Sequence, residues 1–267
     1  MLLEGDSCNV VVVPGPTGLL LIDDQRDRDY AATVAALKTM FSQPVVEVIN
    51  THWHLDHAGG NAAFARAGAV ILAQRNVASR LSMPQFMAAY NANIAASPAM
   101  AWPTRLYDAT MTVRFGQERV LLVHIDHAHT DGDTLVKLTR ANVLHMGDVF
   151  FNGLYPFIDL SSGGSVQGLI RAVDEGIRLS DARTKVVPGH GTVTNRAALF
   201  AYRAMLADVD RNVRRQMAAG TPRAEIIASR PAATYALEGD ADRFVAAIYD
   251  SYRPEGHSTG SEKAAVR

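Results

Sequence analysis

His52, His54, Asp56 and His57 fall within six residues of one another, in the run Thr51-His52-Trp53-His54-Leu55-Asp56-His57-Ala58-Gly59-Gly60-Asn61. Imidazole nitrogen and carboxylate oxygen are the donors that zinc and similar transition metals take. Four of them in so short a stretch are too many for a surface accident. Their alternation suits a bent loop that sends His52 and His54 one way and Asp56 and His57 another. Further along, ligand-type residues recur at three more places: His129 in His127-Ala128-His129-Thr130-Asp131-Gly132-Asp133, Asp148 after Gly147, and His190 in Pro188-Gly189-His190-Gly191. Structural zinc sites are usually closed by four ligands and rich in cysteine. This set offers seven candidates and no nearby thiol, which points to chemistry at an open centre.

Each of these four places follows an apolar run and adjoins a glycine (Gly59, Gly132, Gly147, Gly189). That is the expected layout when strands of an α/β sheet end at a common edge and the backbone turns tightly there. Residues 45–49 read as the strand that delivers the first cluster, and 61–67 as a short helix after it. Residues 9–13 and 19–23, separated by Pro14-Gly15-Pro16-Thr17-Gly18, read as a hairpin of buried strands. Helical spacing covers 29–42, and a strand at 69–73 leads to a helix beginning at 76. Strands follow at 111–115, 119–125, 134–138, 143–146 and 185–187. An amphipathic helix spans 166–179, a long helix 196–218, and a second helical stretch runs from about 222 to 252. Residues 82–106 mix Met83, Phe86, Met87, Tyr90 and Trp102 with Pro84, Pro98 and Pro103. They read as a helical connection on the core, a flap over the site, or a dimer surface. Strands alternating with helices in both halves predict one α/β domain over 1–253, with a disordered tail over 254–267.

The chain has 267 residues, 48% hydrophobic and 20% charged, with a formal net charge of −1. That balance gives no ground for a nucleic-acid or anionic-membrane partner. The single cysteine, Cys8, excludes an internal disulfide. Its simplest reading is a buried small residue, with a role at the edge of a cleft left open. The early apolar runs are short and broken by proline and glycine, so they read as strands and not as a signal peptide or membrane span, and a cytoplasmic location is expected. His124 and His145 are expected to be hydrogen-bonded strand histidines, His127 a supporting or exposed one, His257 a tail residue, and Trp53 a residue packed behind the cluster.

Taken together, His-x-His-x-Asp-His, a later His with Gly-Asp after it, Gly-Asp, and Pro-Gly-His-Gly resemble the ligand signature of the metallo-β-lactamase superfamily, in the same order and over roughly residues 9–210. The resemblance implies a four-layer αββα sandwich of mixed sheets with the metals at one sheet edge. It implies His52, His54 and His129 on a first metal, Asp56, His57 and His190 on a second, and Asp148 bridging the two. Asp23 matches the acidic residue that ends the early family strand, and Asp133 is expected to orient a ligand histidine through its free ring nitrogen. Zinc is the expected metal, two per chain, with iron, manganese or cobalt as the other ions that such donors take.

The chemistry implied is hydrolysis. Two cations roughly 3.5–4 Å apart hold a bridging hydroxide that attacks a carbonyl. Asp56 is the candidate proton shuttle, and Tyr155, in the loop after Asp148, the candidate donor to the oxyanion. The substrate is expected to be small: an ester, thioester, lactone or amide. A true β-lactamase is the first alternative. Some of those relatives carry a cysteine where Asp148 stands and a lysine three residues later, where this chain has Phe151. A nuclease would usually need an inserted domain and a different charge; a flavodiiron enzyme would need a flavin domain; and a persulfide dioxygenase binds a single iron. A metal-binding regulatory protein without turnover is the remaining alternative, and the complete ligand set argues against it.

Overall fold

In a computed structural model, residues 1–4 and 7–253 are described, so the expected tail over 254–267, with His257, lies outside the described residues. The core is built from strands whose two faces are both apolar. In β2 (Asn9–Pro14), Val11 and Val13 face one layer of packing while Val10 and Val12 face another. In β3 (Leu19–Ile22), Leu20 and Ile22 divide from Leu19 and Leu21 in the same way. Side chains alternate along a strand, so a continuous apolar run is what a strand covered on both faces requires.

These strands belong to a six-stranded sheet with β1 (Leu2–Glu4) at one edge, then β2, β3, β4 (Val45–Ile49), β5 (Val70–Gln74) and, at the far edge, β8 (Arg105–Tyr107). From β3 to β8 neighbouring strands run parallel. A second six-stranded sheet places β14 (Thr194–Asn195), β13 (Lys185–Val187), β12 (Val143–His145), β11 (Asp133–Leu138), β10 (Glu118–Ile125) and β9 (Thr110–Phe115) in that order. Its strands are antiparallel except for the β12–β13 pair. Val11, Val13, Leu20 and Ile22 meet Val113, Val120, Leu122 and Val136 between the sheets. On the outer face of the first sheet lie α1 (Tyr30–Lys38), through Leu37, and α3 (Asn61–Arg66), through Phe64. On the outer face of the second lie α5 (Val166–Leu179), α6 (Arg196–Ala218) and α8 (Ala241–Ser251), through Val173, Leu206, Val209, Phe244 and Ile248. The layers are therefore helix, sheet, sheet, helix, as the motif resemblance implied. None of the described helices is long and apolar enough to cross a membrane.

Two segments differ from the expectation drawn from sequence. Residues 82–106 contain no α-helix. After α4 (Arg75–Leu81) the chain forms a small hairpin of β6 (Gln85–Met87) and β7 (Ala92–Ile94), turned at Asn91 in the left-handed region (φ 47°). Prolines at 84, 98 and 103 break any helical run. The region after α6 is not one helical stretch but α7 (Arg223–Ala228) and α8, separated by a break at Arg230 (φ 49°). Pro231 follows, and a residue before proline is disfavoured in the α region.

Candidate metal centre

The donors converge because strands of both sheets end on one side. Asp23 follows β3, the 52–58 loop with its short helix α2 (Leu55–Ala58) follows β4, His129 lies between β10 and β11, Asp148 follows β12, and His190 follows β13. The loop folds sharply enough that a Cβ at Gly189 would overlap Asp148 Oδ1, so glycine is required there.

Two groups result. In the first, His52, His54, His129 and Asp148, all buried, each present a donor atom within 4.8 Å of the others. His129 Nε2 stands 2.9 Å from His54 Nδ1, and Asp148 Oδ2 stands 3.7 Å from His129 Nε2 and 3.9 Å from His52 Nε2. In the second, His57 Nε2 stands 3.3 Å from His190 Nε2, and Asp56 Oδ2 stands 3.4 Å from the latter. Asp148 also reaches this group, with Oδ1 3.1 Å from His57 Nε2 and Oδ2 3.4 Å from His190 Nε2. Donors about 2.0–2.1 Å from a tetrahedral ion lie about 3.3–3.4 Å apart, so both groups fit around one ion each.

The hydrogen bonds on the far side of each ring decide which nitrogen faces inward. Carboxylates and carbonyls only accept. His54 therefore donates from Nε2 to Asp159 Oδ2 at 3.0 Å, His57 from Nδ1 to Asp23 Oδ2 at 2.8 Å, and His129 from Nδ1 to the Phe157 carbonyl at 2.8 Å. Thr51 donates its hydroxyl to Asp23 Oδ2 at 2.8 Å, which leaves its oxygen to accept from His52 Nδ1 at 3.1 Å. Four imidazoles thus turn their remaining ring nitrogen toward the cluster, the orientation found around bound metal. Among the described residues, His52 Nε2 and Asp148 Oδ1 are buried without a hydrogen-bond partner. Such atoms are costly to leave unsatisfied, and a cation between them removes the cost. The residues present fit a pair of metal ions.

The two groups differ in electrostatics. Burial holds His52 well below the ordinary histidine range, and burial with His54 beside it pushes His129 down to about 4. His57 is equally buried, yet the carboxylates of Asp148, Asp23 and Asp56 outweigh that and hold it well above its ordinary value. Asp148 raises His190 to about 9, and burial only partly opposes it. In the metal-free chain at neutral pH, His52 and His129 are therefore held neutral, whereas His57 and His190 favour their protonated forms. Metal uptake at pH 7 is accordingly expected to release protons, and release is expected to fade as the pH rises through about 9. Titration calorimetry in buffers of different ionisation enthalpy checks this. Stability of the metal-free chain follows pH in the same direction. In the metal-free chain these raised histidines add stability below about pH 6.5, and that contribution is lost as pH rises through the folded value.

The structure also shows what the sequence could not. Asp133, expected to orient a histidine, instead accepts from the backbone and hydroxyl of Thr130 at 2.8 and 2.7 Å and closes its own loop. The carboxylates that orient rings are Asp23 and Asp159. Asp159 lies 105 residues from His54, and no spacing connects them. Replacing it with alanine is expected to weaken metal binding about 10–100-fold with the fold intact, measured by competition with a chelator. The Tyr155 hydroxyl donates to the Ala232 carbonyl at 3.0 Å and its ring stacks on Phe244, so the phenol is engaged with the C-terminal helices and not free to donate to an oxyanion. A thiol is nearer than the sequence suggested: Cys8 is buried, with its sulfur within 4.8 Å of donor atoms of Asp23 and His57, and burial raises it to about 12. His124 and His145 are bonded to backbone and His127 is exposed, as expected. Trp53 is buried and donates to Ser162 Oγ at 3.1 Å.

A cavity of about 500 Å³ opens above the two groups. Its lining combines His54, Asp56, Asp148 and His190 with Met87, Ala92 and Ile94 of the β6–β7 hairpin, Phe157, Leu55 and Arg26.

Two stacked mixed sheets, helices outside and histidine–aspartate groups gathered at one sheet edge define a class of metal-binding α/β sandwich. The chain belongs to the metallo-beta-lactamase superfamily, whose profile matches residues 3–190. It is 26% identical over 193 residues to a hydroxyacylglutathione hydrolase of Polaromonas sp., a match covering 70% of this chain and 63% of that protein. Among solved structures it is similar to the stereoselective inverting sec-alkylsulfatase Pisa1 from Pseudomonas sp., with 18% identity and a TM-score of 0.71 over all of this chain and 51% of that one. It is also similar to a metallo-beta-lactamase from Pontibacter korlensis, with 19% identity and a TM-score of 0.62 over 78% of this chain and 93% of that one. The chain thus spans about half of the sulfatase and less than two thirds of the hydroxyacylglutathione hydrolase.

Proposed function

We propose that the chain is a dinuclear zinc hydrolase of a small carbonyl substrate, an ester, thioester, lactone or amide. His52, His54 and His129 hold one ion, Asp56, His57 and His190 the other, and Asp148 both. The observation that carries this reading is that two separate donor groups meet on the single carboxylate of Asp148. Nitrogen and oxygen donors with no thiolate among them suit zinc, and iron, manganese or cobalt occupy the same donor set. A bound pair of such ions supplies a water acidified to near neutrality and a Lewis acid for the carbonyl oxygen.

The residues of the chain supply the rest. Asp56 is about one fifth exposed and lines the cavity, so a carboxylate oxygen stands where a proton has to be collected and passed on. The His190 ring stacks on Phe151 at 5.6 Å, which fixes its plane and occupies the place where some β-lactamases carry a lysine. Thioester and lactone hydrolysis are favoured over lactam hydrolysis on that ground, and the likeness to a hydroxyacylglutathione hydrolase points the same way. Residues 1–253 act as one domain in this reading. The test is turnover of a panel of lactones, thioesters and a chromogenic cephalosporin by the zinc-loaded protein. Lactone or thioester hydrolysis abolished by chelation and lost in Asp56→Ala is the expected result; efficient cephalosporin hydrolysis alone, or no turnover with metal bound, contradicts it.

A further inference from the structure

Resting on that reading, we propose that the cleft takes an amphipathic substrate: its carbonyl over the metal groups, an apolar arm against the β6–β7 hairpin, and a carboxylate or similar anion held by Arg26. Among the described residues, Arg26 contributes the only lysine or arginine to the cavity lining. Its side chain is exposed and makes no hydrogen bond or ion pair among the described residues, although Asp56 and Asp148 line the same cavity. Both of those carboxylates are turned on the histidines. An exposed guanidinium on a residue that lines a cleft is a fork-shaped donor suited to carboxylate, sulfate or phosphate oxygens.

The backbone that presents Arg26 is held rigidly. Asp23 (φ 62°) and Gln25 (φ 64°) are both left-handed non-glycine residues, a costly conformation that collects at functional sites. The turn is fixed by Asp24 N–H donating to the His57 carbonyl at 2.9 Å and Gly60 N–H donating to the Gln25 carbonyl at 3.0 Å. The same short turn therefore supports His57 from behind and sets Arg26 at the rim.

The other end of the cleft is apolar. Phe157 lies 6.0 Å from the His54 ring and 5.5 Å from the His129 ring, and Tyr90 lies 5.5 Å from Phe157. Arg243 covers the Tyr90 ring at 4.6 Å, so α8 holds the hairpin in place. Met87 and Ile94 continue the wall. A ligand lying across both metal groups meets hydrocarbon on the first-group side and a cation on the second-group side.

The test uses two non-hydrolysable thioether ketones, 3-(2-oxooctylthio)propanoate and its uncharged amide, with affinities measured by calorimetry on the full, zinc-loaded chain. The wild type is expected to bind the carboxylate at least tenfold more tightly than the amide. Arg26→Gln is expected to bring the two within about twofold, and Arg26→Lys to keep part of the preference. Shortening the octyl arm to propyl is expected to weaken binding at least tenfold in the wild type and by less in Tyr90→Ala. A carboxylate preference that survives in Arg26→Gln, meaning that the metals alone select the anion, overturns the proposal, as does indifference to arm length. Because binding is measured without turnover, a protein that shows this pattern but hydrolyses nothing contradicts the hydrolase reading and leaves the cleft assignment standing. Hydrolysis without the pattern does the reverse.

Discussion

Asp148→Ala is expected to lower the bound metal from two ions per chain to one or fewer and to reduce hydrolysis at least about 10³-fold, the scale seen when one member of a catalytic unit is removed. The reason is geometric. Its Oδ1 approaches His57 and its Oδ2 approaches His52, His129 and His190, so one truncation opens both groups. The electrostatics add to this. His57 and His190 hold the Asp148 carboxyl well below its usual range despite burial, and without it they face each other at 3.3 Å with less opposing charge. Asp148→Asn keeps the shape and removes the charge. It is expected to retain a metal at the first group, which has three histidines of its own, and to lose the second. Metal analysis of both variants by atomic emission, alongside thioester turnover, checks the two outcomes.

The second large effect is expected at Asp23, which touches neither the cavity nor a substrate. Its carboxylate is fully buried and accepts from Thr51 N at 2.7 Å, Thr51 Oγ1 at 2.8 Å and His57 Nδ1 at 2.8 Å. Asp23→Ala strands these donors in the interior and is expected to cost about 3–5 kcal/mol of stability, as breaking a buried charged network does. Alanine is also poorly suited to the left-handed backbone at this position, where asparagine is tolerated. Asp23→Asn is therefore expected to lose less stability. It still leaves His57 with a neutral partner, so weakened binding at the second group is expected in a well-folded protein. Urea denaturation of the metal-free variants, followed by zinc titration, separates the two consequences.

Much of the fold and of the site is legible in the amino-acid sequence. The strands at 45–49 and 185–187 and the helices at 166–179 and 196–218 were readable because their apolar periodicity is strong and their ends are marked by proline, glycine or polar residues. The seven candidate donors were readable because they repeat one local pattern, a strand followed by a glycine-flanked turn. The supporting residues had no such pattern. Asp23 could be matched only as a family position, while Asp159, on a loop, and the Cys8 sulfur come to the cluster from positions far apart in the chain. Tyr155 looked suited to chemistry because it follows Asp148 closely, yet the loop turns its hydroxyl to Ala232. Arg26 carries no signal at all in sequence. What singles it out is a strained turn and the absence of side-chain partners among the described residues, both properties of the folded chain.

The claim on which the account rests is that two ions share Asp148. Its most direct test is electron paramagnetic resonance of the protein reconstituted with cobalt, with the metal content of the same sample counted. Two ions per chain with a spin-coupled signal in the wild type, replaced by an uncoupled signal from one ion in Asp148→Asn, is the predicted result. A single ion per chain, or two ions that remain uncoupled in the wild type, would contradict it.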